Sequence, residues 1–416
     1  MTGHRALGPA PDVAAAPGWP PELVLLLGDE GGDLLRAVVA TAGGDLEAWA
    51  PVYVAHDPGT STVVQHDATV RWPSGRRTVE PLVTATGRRI PDGATVMEAD
   101  GLRVGAWTRD RDPALPGLHA VLDPDALPAL LRDLGLDLGP VDVGVVAYRP
   151  GRRAVVEVTG PRGRAFLKVV RPHKVDALCR RHLLLADHLP VPRLVGRDGS
   201  GVVALSVLPG RTAREAVVDG GPLPGLDALE ALLDRLPTDL VDGSPLVGGP
   251  LARVPHFAAV VGATVPEEGP RVARVVEALD AASAPDLPVV AVHGDLYEAQ
   301  VMVQGDRPTG LLDIDGVGPG HRIDDVADLL AHLDVLSGIP GHARARPWAE
   351  ELLLAADARL DPGELRRRTG AAVLALASGP FRVLDPGWRA ATADRLDRAR
   401  CWAEAGGRRA RPGRWP

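Results

Sequence analysis

The chain has 416 residues, of which 45% are hydrophobic and 24% are charged, and its formal net charge is −8. These values indicate a globular protein of one large domain or two to three smaller ones, and the negative charge disfavours binding to nucleic acid. Its two cysteines exclude a disulfide framework, a cysteine-rich zinc site and an iron–sulfur site. The longest apolar runs are too short to cross a membrane, so we expect a cytoplasmic protein that binds neither nucleic acid nor membrane.

The first predicted elements belong to a tail and an N-terminal extension. Residues 1–20 are rich in proline, glycine and alanine and lack apolar periodicity, which predicts a disordered tail. Residues 21–135 are predicted to form the extension. It contains a helical segment over 21–42, β-rich sequence over 50–108 and a helix over 123–134.

Two lobes are predicted to follow the extension. Residues 143–170 contain three strand-like runs separated by turns, and a helix at 173–187 and a strand at 202–208 come next. These elements predict a small β-rich lobe over 136–207. A mostly helical lobe, interrupted by glycine and proline, is predicted over 208–416, so the expected fold class is α+β.

The extension and the β-rich lobe share a short sequence pattern. AHDPGTSTVV at 55–64 and AYRPGRRAVV at 147–156 have Ala, Pro, Gly and a closing Val-Val at the same offsets. This pattern favours the interpretation of the extension as a degenerate repeat of the β-rich lobe. Lys168 occurs in the second copy, where the first copy has Thr84 or a neighbour, so we expect the chemistry to lie in the second copy.

Residues 293–300, HGDLYEAQ, and residues 311–315, LLDID, carry the strongest functional pattern. Phosphoryl transfer requires a group that orients and deprotonates the attacking hydroxyl, and it requires hard oxygen ligands for Mg²⁺ between the phosphates. Asp295, then Gln300 as a metal-binding side chain five residues later, then Asp313 after an apolar run match this layout. We predict that a small hairpin between the motifs brings the three side chains to one edge.

With these motifs the chain resembles the aminoglycoside phosphotransferase and choline kinase group, which has a protein-kinase-like fold. The group's pattern is H-G-D, four residues, Asn, and then an I-D-x segment, and the resemblance covers roughly residues 141–340. It implies a two-lobed fold with a catalytic loop at 293–300 and a metal-binding segment at 311–316. It also implies an ATP- and Mg²⁺-dependent kinase for a small-molecule hydroxyl acceptor, with Asp295 as the catalytic base and Asp313 as the main metal ligand.

Lys168 is the second anchor of the resemblance. It is one of two lysines in a chain of 44 arginines, and it lies on the strand where such kinases keep a lysine for the α- and β-phosphates. A compact ammonium fits between two phosphates better than a guanidinium fork does, which explains a lysine at this position. Backbone groups of Ser206, Val207 and Leu208, where the hinge between the lobes is expected, are predicted to contact the adenine of ATP.

Two departures from the family pattern leave a second class of function open. The helix after Lys168 lacks a glutamate near residues 179–182, and Gln300 stands where the family has asparagine. A catalytically inactive nucleotide-binding or scaffold protein is therefore one alternative to an active kinase. A maltokinase-like sugar kinase is the other, because that group resembles this chain in the glutamine after HGD and in an N-terminal extension.

The sequence leaves the acceptor open between an aminoglycoside-like compound, a sugar and an amino alcohol. Residues 221–340 contain 19 acidic and 6 basic residues, which would suit a polycation, although many of these acids belong to the motifs. Residues 341–416 contain 9 acidic and 15 basic residues. If that basic segment lines the acceptor site, it favours a neutral or anionic acceptor.

Overall fold

The computed structural model describes residues 17–241, 245–280, 286–407 and 415–416. Residues 1–16 of the predicted disordered tail lie outside these described residues, and the rest of that prediction is wrong. Trp19 is buried, its ring contacts Phe381 and Trp388, and its Nε1 donates a hydrogen bond to the carbonyl oxygen of Thr264 at 2.8 Å. The stabilisation gained by burying one large aromatic side chain outweighs the tendency of the proline-, glycine- and alanine-rich sequence around it to be disordered.

The first unit, residues 21–108, is a pair of helices followed by an antiparallel sheet in the strand order β1-β2-β3-β5-β4. Side chains along β2 point alternately to the two faces of the sheet. Ala68 and Val70 are buried in one cluster with Leu35 and Val39 of α2, so the helices cover one face of the sheet. The elements of this unit are α1 (Pro21–Leu27), α2 (Asp29–Thr41), β1 (Asp45–Asp57), β2 (Ser61–Arg71), β3 (Arg77–Thr86), β4 (Thr95–Ala99) and β5 (Leu102–Thr108).

The second unit, residues 117–206, is also a helix pair followed by an antiparallel sheet, in the order β6-β7-β8-β10-β9. Val156 and Val158 of this sheet are fully buried with Leu118 and Leu130 of the helices, so these helices pack with the second sheet although the sequence assigned them to the extension. The elements are α3 (Gly117–Leu122), α4 (Leu127–Asp133), β6 (Asp142–Arg149), β7 (Arg153–Gly160), β8 (Gly163–Val170), α5 (Val175–Ala186), β9 (Leu194–Arg197) and β10 (Val202–Ser206).

The two units repeat each other in strand order, in the helix pair and in the Pro-Gly turn between their first two strands. Counting from that turn, Val63 pairs with Ala85 in the first unit, whereas Val155 pairs with Lys168 in the second. Ala85, the neighbour of Thr84, is therefore the counterpart of Lys168. The second unit has α5 after its third strand, whereas the first has only a 3-10 turn there.

The helical lobe, residues 211–407, follows the second unit and contains two short strand groups, β11-β13-β14 and β12-β15. None of the helices in the described parts of the chain combines the length and apolarity that a membrane crossing requires. The elements of this lobe are β11 (Arg211–Thr212), α6 (Ala213–Asp219), α7 (Leu226–Leu233), α8 (Pro250–Thr264), α9 (Gly269–Asp280), β12 (Val290–Val292), β13 (Val301–Gln304), β14 (Arg307–Leu311), β15 (Gly318–Gly320), α10 (Arg322–Ser337), α11 (Ala345–Asp357), α12 (Pro362–Ala377), α13 (Gly379–Arg382) and α14 (Trp388–Gly407).

The first unit is joined to the helical lobe by a continuous apolar core. Leu23 and Leu26 of α1 and Val54 of β1 belong to the same buried cluster as Val261 of α8 and Phe381 of α13. The prediction of an α+β fold, with an N-terminal β-rich extension, a β-rich lobe and a mostly helical lobe, is confirmed. The extension is not a separate appendage, because it packs on the lobe that carries both motifs.

Candidate active site

The loop after β12 is fixed by a buried carboxylate. The backbone N–H groups of His293 and Gly294 both donate to Asp325 at 2.9 Å, and His293 Nε2 lies 2.9 Å from the carbonyl oxygen of Leu312. Asp325 is fully buried in the first turn of α10, so displacing the loop would leave this carboxyl buried without two of its hydrogen bonds. Gly294 has a φ of 79°, and a Cβ there would lie 2.8 Å from the carbonyl oxygen of Gly316, so this position requires glycine.

Asp295 follows this fixed turn and faces an open cavity of about 570 Å³. Its side chain is exposed, and in the described parts of the chain no hydrogen bond engages its carboxylate. Tyr297 lines the same cavity, and burial together with the charge of Asp295 raises the pKa of this tyrosine. The geometry therefore leaves Asp295 free to accept a hydrogen bond from a ligand.

The second motif places two carboxylates against two cations. Lys168 Nζ lies 3.2 Å from Asp313 Oδ1 and 2.7 Å from the carboxylate of Asp315. Arg153 contacts the same carboxylates, with its NH2 nitrogen 2.9 Å from Asp313 Oδ2 and its NH1 nitrogen 3.3 Å from Asp315 Oδ2. Because the cations lie on β7 and β8, these four side chains connect the second unit to the helical lobe.

The charges in this cluster stabilise one another. Burial by itself would raise the pKa of Asp313, but the ammonium of Lys168 and the guanidinium of Arg153 outweigh burial and hold this pKa below its ordinary value. Asp313 is therefore ionised at neutral pH. Lys168 is only 5% exposed, so these carboxylates rather than water balance its charge.

An arginine lies in the stretch of α5 where the family pattern was expected to place a glutamate. Arg181 of α5 lies between residues 179 and 182, and its guanidinium donates to the main-chain carbonyl of Asp315. Lys168 is thus held by aspartates of the helical lobe instead of by an acid on α5. Arg153, Arg181 and Asp315 were not predicted as site residues, although LLDID already contained the second aspartate.

Gln300 is buried, and its amide Nε2 donates to Tyr297 Oη at 2.9 Å. Its main-chain carbonyl accepts from the N–H of Leu312 at 2.8 Å, which places it next to the segment that carries Asp313. Among the described residues, no three His, Cys, Asp or Glu side chains converge as a metal site. Mg²⁺ commonly needs one or two carboxylates together with phosphate and water oxygens, so the oxygens of Asp313, Asp315 and Gln300 suit a Mg²⁺ ion that arrives with a nucleotide.

The predicted hinge follows β10, where the second unit meets the helical lobe. The N–H of Ser206 donates to the carbonyl of Arg193 at 2.9 Å, and the Ser206 hydroxyl accepts from the N–H of Arg193 at 2.9 Å. These bonds occupy the N–H and the hydroxyl of Ser206. The predicted contact of the backbone of Ser206, Val207 and Leu208 with adenine stays a prediction.

The cavity in front of Asp295 has walls from all three parts of the fold. The second unit contributes the turn between β6 and β7, and the helical lobe contributes α8, α10, α12 and α13. The first unit contributes β1, the start of β2 and Arg89, with Tyr53, His56 and Asp57 among the lining residues. No role was predicted for this part of the extension, because no local motif marks it.

The wall of the cavity that the helical lobe forms carries several polar groups. The guanidinium of Arg253 lies 3.2 Å from both carboxylate oxygens of Asp328, while burial raises the pKa of Asp328 to about 8 against that attraction. Tyr297 stacks on His332 with ring centroids 4.4 Å apart, and burial lowers the pKa of this histidine to about 3. His332 is therefore neutral at pH 7. Such a surface can hydrogen-bond a polyhydroxylated molecule.

Comparisons with known proteins match the part of the chain that holds most of these residues. The profile of a family described as "Phosphotransferase enzyme family" matches residues 145–338. An uncharacterized protein of Deinococcus radiodurans is 30% identical over 241 residues, which are 51% of this chain and 68% of that protein. A ligand-free structure of a thermostable mutant of aminoglycoside phosphotransferase APH(4)-Ia is 16% identical, with 67% of this chain and 98% of that chain covered and a TM-score of 0.48. A choline/ethanolamine kinase family protein from Mesorhizobium loti is 17% identical, with 69% and 94% covered and a TM-score of 0.44.

Proposed function

Because the chain belongs, through residues 145–338, to the phosphotransferase enzyme family, we propose that it is a kinase that transfers the γ-phosphoryl group of ATP to a hydroxyl of a small molecule. The observation that carries this proposal is the contact between Lys168 and Asp313 at 3.2 Å, beside a fixed loop that presents Asp295 to a cavity. A phosphate-binding cation, a metal-binding carboxylate and a proton acceptor are the groups that phosphoryl transfer requires.

Asp295 acts on the acceptor. Its carboxylate accepts a hydrogen bond from the acceptor hydroxyl and takes the proton as the hydroxyl oxygen attacks the γ-phosphorus. The new bond joins that oxygen to phosphorus, the bond between phosphorus and the β–γ bridging oxygen breaks, and ADP leaves. The fixed backbone at His293 and Gly294 holds Asp295 in place through this step.

The cluster around Asp313 acts on the nucleotide. Lys168 and Arg153 donate hydrogen bonds to phosphate oxygens, and Asp313, Asp315 and Gln300 hold Mg²⁺ through oxygen atoms. When bound, Mg²⁺ neutralises negative charge on the phosphates. The pairing of Arg153 and Lys168 with Asp313 and Asp315 supports this assignment. The cations of the cluster can pair with phosphate oxygens, and its carboxylates can pair with Mg²⁺.

The proposed function is tested by an ATP-consumption assay over sugars, amino alcohols and aminoglycosides. Asp295→Asn should lower kcat by about 10²–10⁴-fold and leave ADP binding nearly unchanged, since a positioned proton acceptor contributes a factor of this size. Asp306→Asn, an exposed aspartate in the turn between β13 and β14, is the matched control and should retain activity. Nucleotide binding without turnover of any acceptor would favour the inactive scaffold alternative.

The metal assignment of Gln300 is tested by titrating Mg²⁺ in the same assay. Gln300→Ala should raise the Mg²⁺ concentration needed for half-maximal activity, because it removes an amide oxygen from the ligand set. Gln300→Asn should do less harm, since it keeps an amide oxygen on a side chain that is one methylene shorter. Superimposable curves for all three forms would show that Gln300 binds no metal.

A further inference from the structure

The cavity in front of Asp295 is lined by more arginines than aspartates. Among the described residues its acids are Asp57, Asp295 and Asp328, and Arg253 contacts Asp328 at 3.2 Å. In the described parts of the chain, none of the other lining arginines forms an ion pair with a carboxylate. Unbalanced positive charge in a partly enclosed cavity favours an anionic ligand. These other arginines are Arg89, Arg149, Arg152 and Arg382.

Arg89 is the lining arginine that the first unit supplies, and its backbone is tightly fixed. It ends the 3-10 turn that begins at Gly87, the N–H of Arg88 donates to the carbonyl of Thr60 at 3.3 Å, and a Cβ on Gly87 would lie 2.0 Å from that oxygen. The side chain is half-buried, and burial together with the charge of Arg152 lowers its pKa. Asp57 attracts this guanidinium from a distance, but no carboxylate of the described residues lies within ion-pair distance of it, so an anionic group of a ligand can pair with it.

We propose that the acceptor carries an anionic group, a phosphate or a carboxylate, besides the hydroxyl that is phosphorylated, and that Arg89 binds this group. This inference rests on the proposed function, because it names the class of the acceptor. A guanidinium matches both oxyanions through paired N–H donors. A polycationic acceptor would meet arginines where it needs carboxylates, and among the described residues of the acidic segment 221–340 only Asp295 and Asp328 line the cavity.

The phosphates of ATP have other partners in this arrangement. Lys168 and Arg153 lie on the second unit and contact Asp313 and Asp315, where the nucleotide is proposed to bind. Arg89 lies on the first unit, after β3, on the part of the cavity wall formed with Tyr53 and Asp57. The first unit thus places a positive charge on the side of the cavity where the acceptor is proposed to bind.

The experiment compares glucose with three derivatives, each of which is changed at one carbon: glucosamine, glucuronate and glucose 6-phosphate. Binding to the full chain is measured by calorimetry with and without saturating AMP-PNP and Mg²⁺. Glucuronate or glucose 6-phosphate should bind about tenfold or more tightly than glucose, and glucosamine should bind most weakly. Arg89→Gln should abolish this preference, whereas Arg88→Gln, an exposed neighbour that does not line the cavity, should keep it.

Several outcomes would overturn the inference. Equal affinity for the four hexoses, no binding of either anion, or a preference that survives Arg89→Gln would show that Arg89 binds no acceptor anion. Equal losses of affinity for AMP-PNP and for the anionic hexoses in Arg89→Gln would assign Arg89 to the nucleotide. Failure of the wild type to bind AMP-PNP would contradict the proposed function, and the titrations without nucleotide would still decide the role of Arg89. The order of the two anions distinguishes a phosphate from a carboxylate.

Discussion

The first and second units share an architecture but differ in the side chains that could do chemistry. Each is a helix pair followed by an antiparallel sheet with the same strand order. At positions that match in register from the Pro-Gly turn, the second unit carries Arg153 and Lys168, and the first carries Ser61 and Ala85. The backbone arrangement therefore does not depend on the two cations.

The faces that carry these positions also have different neighbours. In the first unit, Val63 and Ala85 are buried with Trp107 and with Tyr148, which comes from β6 of the second unit. In the second unit, the equivalent face directs Lys168 to the aspartates of the helical lobe. In the first unit, protein side chains thus cover the sheet face that corresponds to the face carrying Lys168 in the second unit. What remains open in the first unit is its first strand, the start of its second strand and Arg89, which line the cavity in front of Asp295.

Among the substitutions that test this comparison of the two units, Lys168→Arg should have the largest effect. Arginine keeps the charge, but its wide fork does not fit the buried space between Asp313 and Asp315, so we expect kcat/KM for ATP to fall on the order of 10²-fold. Lys174→Arg is the control, because Lys174 is exposed, and it should be silent. If the two variants behave alike in an ATP-turnover assay, Lys168 has no special role. The chemical difference between the second unit and the first would then lose its support.

A smaller effect is expected from Asp112, which follows the first unit and holds the turn of the second. Its carboxylate accepts from the N–H of Gly151 at 2.7 Å and from the hydroxyl of Tyr148 at 2.8 Å. Asp112→Asn replaces part of this acceptor with an amide donor, so the turn should loosen and KM for ATP should rise about tenfold with little change in kcat. Asp110→Asn, a more exposed aspartate nearby, should leave both constants unchanged. An equal fall in kcat would indicate a broader loss of structure.

The smallest effect should be a pH dependence of stability that the first unit contributes. Burial lowers the pKa of His66 to about 3, whereas an unfolded histidine titrates near 6.5. Below pH 6.5 the unfolded state binds a proton that the folded state does not. The free energy of unfolding should therefore fall by about 1.4 kcal/mol for each unit by which the pH is lowered. His66→Gln should reduce this slope in urea unfolding at pH 7, 6 and 5. His173→Gln, an exposed histidine of the second unit, should not change it.

The local elements were predictable because their signals are local. Valine-rich alternation and Pro-Gly turns predicted the strands of both units, and the motifs located Asp295, Gln300 and Asp313. The counter-ion of Lys168 was not predictable, because Asp315 lies 147 residues away along the chain and only the packing of the lobes brings it near. The same holds for Arg89, whose place on the cavity wall depends on how the first unit packs on the helical lobe.

The contacts of the first unit also limit how the molecule can move. Trp19, just before α1, is buried against Phe381 and Trp388 of the helical lobe, while Asp112, just after β5, is bonded to the backbone of Gly151 in the second unit. A rigid-body hinge rotation that separated the second unit from the helical lobe would have to break one of these attachments. We therefore expect substrates to enter and products to leave through local motions at the rim of the cavity, on a faster timescale than a swing of whole lobes.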